Sequence, residues 1–296
     1  MNKENPFMGL GVALVTPFNE DGSIDWNMFA ELIEFQIANG TDYLCILGTT
    51  AETPTLTEEE KHEIVNKAIK QIDGRIPIMV GCSSNCTATV LQQIKQYEID
   101  GVDGILTAVP YYNKPSQEGI YQHFKAIAEN CSKPIVLYNV PGRTGVNMTA
   151  ATTLRIANEF SNVIAVKEAS GNLEQFKEIV AGSPAHFKVI SGDDGLAFDA
   201  MQHGVIGVIS VMGNAIPKTF STMIHHLQNS EIEAAAAIHE QLKPLYSLLF
   251  TEGNPPGIKD LMASRGMIKN VLRLPLVPVS KATHEQTRQA FANIKL

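Results

Sequence analysis

The residue with the clearest chemical potential is Lys167, which ends the apolar run Val163-Ile164-Ala165-Val166. A strand this apolar is predicted to be buried on both faces, so the lysine carries an amine from a dry core into the space above it. Because burial disfavours the ammonium form, such an amine is a candidate nucleophile toward a carbonyl carbon. The alternatives are an ion pair with Glu168 or a side chain that reaches the surface.

Runs typical of buried strands recur before residue 230, and segments with helical spacing of apolar residues lie between them. The clearest helix begins with the capping box Thr57-Glu58-Glu59-Glu60. This alternation predicts an α/β fold, a (β/α)8 TIM barrel over residues 1–230, with a small C-terminal α-helical extension over residues 231–296. A doubly wound sheet is the competing architecture, and it would require a glycine-rich phosphate loop that the sequence lacks. The predicted strands are 11–15, 43–47, 76–80, 104–109, 134–138, 163–166, 187–190 and 205–211.

Polar residues follow many of these strands, where a barrel of this type places its catalytic residues. Tyrosine and threonine hydroxyls can pass a proton along a chain, which the formation of an imine and its conversion to an enamine both require. Backbone amides of the Gly48-Thr49-Thr50 turn can hold a carboxylate, and Arg143 can hold a second one. Together with Lys167 they predict imine chemistry without a metal or cofactor. The segments are Thr16-Pro17, Gly48-Thr49-Thr50-Ala51-Glu52, Pro110-Tyr111-Tyr112-Asn113, Tyr138-Asn139-Val140-Pro141-Gly142-Arg143-Thr144-Gly145 and Ser191-Gly192-Asp193-Asp194.

Each of these side chains also has a structural alternative. Tyr111 and Tyr112 can cap the barrel by packing, Arg143 can pair with a surface acid, and Asp193-Asp194 can form a turn. We favour the functional interpretation because the residues are predicted to meet at one mouth.

Charge and composition exclude several classes of partner. The chain of 296 residues is 44% hydrophobic and has a net charge of −8 without a long run of one sign, so we expect no nucleic-acid partner and no membrane partner. No segment reaches the roughly 18 uninterrupted apolar residues of a membrane span. The N-terminus, residues 1–6, lacks the basic and apolar regions of a signal peptide, which predicts a cytoplasmic location.

Neither the cysteines nor the histidines have the spacing of a metal site. Cys82 and Cys86 are followed by no further ligand at a suitable distance, and the His-Glu pairs lack a second histidine one turn later. We therefore expect structural cysteines and surface histidines.

The motifs at the strand ends resemble those of the 4-hydroxy-tetrahydrodipicolinate synthase family, also called dihydrodipicolinate synthases. The resemblance runs from about Gly9 to Pro278 and preserves the order of the motifs. It is carried by Gly48-Thr49-Thr50-Ala51-Glu52, Tyr111-Tyr112-Asn113, Tyr138 to Gly145, Val166-Lys167-Glu168 and Leu272-Arg273-Leu274-Pro275-Leu276.

The resemblance implies a Schiff-base condensation of pyruvate with L-aspartate 4-semialdehyde, on the route to diaminopimelate and lysine. It implies that Lys167 forms the imine, that Tyr138 donates and accepts the proton, and that Thr49 and Tyr112 complete a relay, with Tyr112 supplied by a neighbouring subunit. It further implies a homo-oligomer, a tetramer built from dimers. Thr50 and the backbone near Ile209 would hold pyruvate, and Arg143 the carboxylate of the semialdehyde.

Two departures from the family pattern concern the second strand end and a later loop. Ala51 stands where many members have glycine, a change that is expected to leave the turn intact. The segment Asn254-Pro255-Pro256-Gly257-Ile258-Lys259 varies the usual spacing of prolines before a lysine, so its role is open.

Three other functions compete with the synthase. N-acetylneuraminate lyases and keto-deoxy-sugar acid aldolases share the lysine and the tyrosine, but the sialate lyases carry Gly-Ser-Thr in place of Gly48-Thr49-Thr50 and lack the counterpart of Arg143. A non-catalytic pyruvate-binding paralogue is the third, since a barrel alone does not imply activity.

The resemblance also bears on inhibition by lysine. In lysine-sensitive relatives, a glutamate and imidazole groups receive the ligand near the counterparts of Asn85 and Tyr111. Here Thr89 replaces the glutamate, while Glu58 and Lys61 replace histidines. We predict weak inhibition or none.

Overall fold

The computed structural model describes residues 5–294, in which eight parallel strands close into a barrel in the order β1 to β8. This confirms the predicted (β/α)8 fold. Strands β4 and β5 consist wholly of buried residues, as expected for strands covered on both faces. The strands are β1 Gly9–Ala13, β2 Tyr43–Ile46, β3 Ile78–Gly81, β4 Gly104–Ala108, β5 Ile135–Asn139, β6 Val163–Glu168, β7 Lys188–Ser191 and β8 Gly207–Ser210.

Helices follow the strands, and three more come after the barrel. Within residues 5–294, none of them is both long and apolar enough to cross a membrane. Residues 1–4, which belong to the segment used above to predict that a signal peptide is absent, lie outside the described residues. The helices are α1 Trp26–Ala38, α2 Glu58–Ile72, α3 Thr87–Tyr97, α4 Gln117–Glu129, α5 Pro141–Thr144, α6 Ala150–Glu159, α7 Leu173–Gly182, α8 Asp194–Met201, α9 Pro217–Gln228, α10 Ile232–Leu248, α11 Pro256–Ser264 and α12 Lys281–Ala292.

The chain packs as two compact units. One contains Pro77–Ile209 with the described part of the segment before Gly9, and the other contains Gly9–Ile76 with the chain from Ser210 onward. The division into a barrel over residues 1–230 and a helical extension over residues 231–296 stays a prediction.

The capping box predicted at the start of α2 is present. The Thr57 hydroxyl accepts a hydrogen bond from the Glu60 amide at 3.2 Å, and the Glu60 carboxylate accepts one from the Thr57 amide at 2.9 Å. Two of the N–H groups that a helix start leaves unpaired are thereby satisfied. The helix then buries Ile64 and Val65 on its inner face.

Strand β1 ends earlier than the sequence predicts, at Ala13 instead of Val15. The reason is a side chain that replaces a strand partner: the Val15 amide donates to Oδ1 of Asn214 at 3.0 Å. Asn214 in turn donates to the Ala13 carbonyl at 2.8 Å. An apolar pattern does not reveal such a substitution, because Val15 is buried either way.

Strands β5 and β6 extend beyond their predicted ends, to Asn139 and Glu168. Tyr138 is aligned with Lys167, and Asn139 with Glu168. The polar residues therefore belong to the strands themselves, and their side chains are held by regular sheet geometry.

Candidate active site

Lys167 and Tyr138 lie side by side on neighbouring strands. Since aligned residues of parallel strands project from the same face, the two side chains point the same way. The Lys167 Nζ lies 4.3 Å from the centroid of the Tyr138 ring, and only 7% and 8% of the two residues are exposed. An amine and a phenol are thus brought together with little access to water.

Glu168 is engaged on the other face of β6, which argues against the alternative that it simply pairs with Lys167. Successive residues of a strand project to opposite faces. The Glu168 carboxylate is fully buried and accepts hydrogen bonds from Asn139, Ser170 and Gln175. Lys167 is also buried, so it does not reach the surface as the second alternative required.

Gly192 makes room for the lysine. A Cβ atom at this position would lie 2.9 Å from Cε and 3.1 Å from Cγ of Lys167, and 2.8 Å from Cβ of Ala169. Contacts this short require a neighbour to move. The sequence places Gly192 after β7 but gives no sign of this role, because the contact joins separate strands.

The Gly48-Thr49-Thr50 segment forms the turn that the sequence predicts. A 3-10 turn covers Thr49–Ala51, and the Ala51 amide donates to the Gly48 carbonyl at 3.1 Å. Thr49 is half-buried, whereas Thr50 is buried and its hydroxyl accepts a hydrogen bond from Asn254 at 3.0 Å. Alanine at position 51 is compatible with the turn, as expected.

A buried ion pair holds Glu52, the residue that follows this turn. Lys259 Nζ lies 2.5 Å from Oε1 of Glu52 and donates to the Val271 carbonyl at 3.0 Å. The second Glu52 oxygen accepts from the Arg273 amide at 3.0 Å. Both side chains of the pair are fully buried, and this burial lowers the pKa of Lys259 to about 8 against the opposing effect of Glu52.

The segment Asn254–Lys259 therefore has a role that its sequence left open. Its first residue holds the Thr50 hydroxyl, and its last residue holds the Glu52 carboxylate. Glu52 has a left-handed backbone, with φ of 57°, which is uncommon for a residue with a side chain. The segment fixes both ends of the Thr50–Glu52 turn.

Tyr112 and Arg143 are exposed. Tyr112 is 86% exposed, with a left-handed backbone at φ of 77°, so it does not cap the barrel by packing within residues 5–294. Tyr111 is 41% exposed. Arg143 lies in the short helix α5, four residues beyond the end of β5.

Two further strand-end residues, Ile209 and Asp193, are buried and half-buried, respectively. Ile209 is 1% exposed in β8. Asp193 is the N-cap of α8, since its carboxylate accepts hydrogen bonds from the amides of Gly195 and Leu196 at 2.8 Å and 3.2 Å. The turn proposed as the alternative for Asp193-Asp194 is thus a helix start.

The cysteines form no disulfide. Cys45, Cys82 and Cys131 are buried, and burial raises the pKa of the Cys131 thiol to about 11. No group of three or more histidine, cysteine or acidic side chains placed to hold a metal ion occurs among the residues described.

Comparison with known proteins agrees with the residues at the strand ends. The model of the dihydrodipicolinate synthetase family matches residues 6–294. A 4-hydroxy-tetrahydrodipicolinate synthase of Parabacteroides distasonis is 55% identical over 288 residues, which cover 97% of each chain.

Two solved structures have the same fold. One is described as a monomeric dihydrodipicolinate synthase variant; it is 40% identical, with a TM-score of 0.95 and coverage of 99% of this chain and 98% of that one. The other is a chloride-inhibited dihydrodipicolinate synthase of Acinetobacter baumannii in complex with pyruvate. It is 37% identical, with a TM-score of 0.94 and coverage of 97% and 98%. This chain belongs to the dihydrodipicolinate synthetase family.

Proposed function

We propose that this protein is a lyase, a 4-hydroxy-tetrahydrodipicolinate synthase that condenses pyruvate with L-aspartate 4-semialdehyde in the biosynthesis of diaminopimelate and lysine. The observation that carries the proposal is the buried Lys167 amine, 4.3 Å from the Tyr138 ring, in a chain 55% identical to a synthase. The Acinetobacter relative is described with pyruvate bound. The substrates fit the site chemistry, since a lysine side chain can form a Schiff base with a ketone.

The reaction begins at Lys167. Its nitrogen attacks the ketone carbon of pyruvate, and loss of water from the resulting carbinolamine gives an imine. Removal of a proton from the former methyl group gives an enamine, whose carbon attacks the aldehyde of the second substrate. The amine of that substrate then attacks the imine carbon, closes the ring and releases Lys167. Each step moves a proton at the reacting atoms.

Hydroxyl groups supply that proton transfer. Tyr138 lies beside Lys167 and serves as the proton donor and acceptor. Thr49 and Tyr112 complete the relay. A chain of hydroxyls suits this task because each can donate one proton while it accepts another.

The substrate carboxylates are held by other groups. Thr50, fixed by Asn254, and the backbone at Ile209 hold the carboxylate of pyruvate. Arg143 holds the carboxylate of aspartate semialdehyde, for which the planar guanidinium provides two parallel donors.

We further propose a homotetramer built from dimers, in which Tyr112 enters the site of a neighbouring subunit. Its 86% exposure supports this, because tyrosine is enriched at protein interfaces and this side chain extends into solvent. Its left-handed backbone, at φ of 77°, is a conformation of the kind that clusters at functional sites. One relative is described as monomeric, so the assembly of this chain requires its own measurement by sedimentation. The cytoplasmic location stays a prediction.

An activity assay with defined substrates tests the proposed reaction. The purified protein is incubated with pyruvate and aspartate semialdehyde, and the condensation product is detected by mass spectrometry. Parallel reactions with N-acetylneuraminate or a keto-deoxy-sugar acid measure the release of pyruvate. Condensation without release of pyruvate is the expected result. Cleavage of either sugar acid without condensation would favour an aldolase, and the absence of both reactions would favour a non-catalytic paralogue.

A further inference from the structure

We propose that Glu168 is a positioning residue for this reaction: its carboxylate fixes the strand ends that carry Lys167 and Tyr138 and anchors the loop that carries Arg143. The inference rests on the proposed function. Glu168 itself does not touch the reacting atoms, because it projects from the opposite face of β6.

The position of Glu168 relates it directly to the site. It follows Lys167 by one residue, and its aligned partner Asn139 follows Tyr138 by one residue. Alternation along the strands therefore places Lys167 and Tyr138 on one face, and Glu168 and Asn139 on the other. A contact between the second pair fixes the separation of the first.

The Glu168 carboxylate accepts hydrogen bonds from three different groups. Asn139 Nδ2 lies 3.1 Å and 3.0 Å from its two oxygens, the Ser170 amide 2.7 Å from Oε1, and Gln175 Nε2 2.9 Å from Oε2. Within residues 5–294 it forms no ion pair with a basic side chain. Burial raises the pKa of Glu168, and the three donors oppose that shift. A buried carboxylate without a cation depends on such donors.

The same cluster holds both ends of the loop 140–148. Oδ1 of Asn139, just before the loop, accepts from the Met148 amide at 2.9 Å. Gln175 Nε2 also contacts the Met148 carbonyl at 3.2 Å, and Asn139 donates to the Asn147 side chain at 2.7 Å. Arg143 lies inside this loop. Because Glu168 orients the amides of Asn139 and Gln175, it also determines where the loop is attached.

Glutamine cannot replace this carboxylate, although it has the same size. Its amide has one oxygen, whereas Ser170 and Gln175 each donate to a different oxygen of Glu168. Either orientation of a glutamine directs its N–H₂ group at one of these donors. The result is a displaced Ser170, three residues after Lys167, or a displaced Gln175, which contacts the loop.

The Glu168→Gln variant tests this role with two matched controls. Glu178→Gln removes an exposed carboxylate from α7, and Ile156→Val trims a fully buried side chain of α6 outside the cluster. We expect Glu168→Gln to lower kcat by about 10- to 100-fold, the size expected for a small displacement of reacting groups. We also expect it to raise KM for aspartate semialdehyde more than KM for pyruvate. The controls retain wild-type kinetic constants.

A second variant tests the attachment of the loop 140–148 separately from the alignment of the strand ends. Gln175→Met removes one donor to Glu168 and the hydrogen bonds of Gln175 with Met148 and Asn147 in the loop, while the hydrogen bonds to Glu168 from Asn139 and Ser170 remain. KM for aspartate semialdehyde should rise several-fold, and the rate at which pyruvate forms its adduct should stay near that of the wild type. A merely structural role would not divide the two substrates in this way.

The outcomes distinguish the inference from the proposed function. If Glu168→Gln folds and has the kinetic constants of Ile156→Val, the inference is wrong. If Glu168→Gln does not fold, Gln175→Met decides, and unchanged KM for aspartate semialdehyde in that variant overturns the inference. A wild-type protein that forms no pyruvate adduct would contradict the proposed function, whatever the variants do.

Discussion

The buried pair of Lys259 and Glu52 provides a sharp prediction about stability. In Lys259→Met, a side chain of similar length and no charge replaces the amine. Among residues 5–294, the Glu52 carboxylate then keeps only the hydrogen bond from the Arg273 amide, at 3.0 Å, while its other oxygen loses the partner at 2.5 Å. The Val271 carbonyl also loses its donor.

The expected cost follows from this geometry. An uncompensated carboxylate that is fully buried destabilises a protein by about 3–5 kcal/mol, a large part of the roughly 5–15 kcal/mol of a typical domain. The double variant Glu52→Gln with Lys259→Met removes the buried charge altogether. It should cost at most about 2 kcal/mol, mainly from the unpaired Val271 carbonyl and the weakened bond to Arg273.

Equilibrium unfolding in urea, followed by circular dichroism at one fixed protein concentration, measures these differences. The control is Lys243→Met, which removes a lysine that is 52% exposed and paired with Glu240 on α10. It should cost less than about 1 kcal/mol. If Lys259→Met costs no more than the control, or if the double variant is less stable than Lys259→Met alone, the assigned role of the pair is wrong.

Three further predictions concern substrates, assembly and inhibition. Arg143→Ala should raise KM for aspartate semialdehyde by about 10- to 100-fold and change KM for pyruvate little, since a charge-assisted contact is lost from one substrate only. Steady-state kinetics with each substrate varied in turn measure both constants, and an equal rise in the two KM values would contradict this role. If Tyr112 completes a neighbouring site, specific activity should fall on dilution to concentrations at which sedimentation shows dissociation, and a fully active monomer would refute that role. Free lysine should inhibit only above about a millimolar, because Thr89 offers no carboxylate and Glu58 is already paired with Lys61 at 2.7 Å. Lysine is titrated at fixed pyruvate, and half-inhibition well below a millimolar would show that the lysine-binding site is intact.

The barrel could be predicted from the sequence because its signal is local and repeated. Buried strands alternate with amphipathic helices, and the capping box at Thr57 and Glu60 depends on residues three positions apart. The exact strand ends could not be predicted in this way. Strand β1 stops where the Asn214 side chain, about 200 residues further along the chain, takes the Val15 amide.

The residues of the candidate site could likewise be predicted only in part. Lys167 and Tyr138 could be selected because each ends an apolar run, and their alignment on neighbouring strands agrees with that selection. Gly192, Lys259 and Glu168 could not be given a role from sequence. Their importance comes from contacts with residues elsewhere in the chain, which the sequence around Gly192, Lys259 or Glu168 does not reveal.

The most direct test of the central claim is reduction with borohydride in the presence of pyruvate, followed by peptide mass mapping. If Lys167 forms the imine, reduction fixes pyruvate covalently to the peptide that contains Lys167, and the wild-type protein loses activity. Lys167→Ala should give no adduct, and its unfolding midpoint should stay near that of the wild type. An adduct on another lysine, no adduct in the wild type, or near-normal turnover by Lys167→Ala would contradict the proposed mechanism.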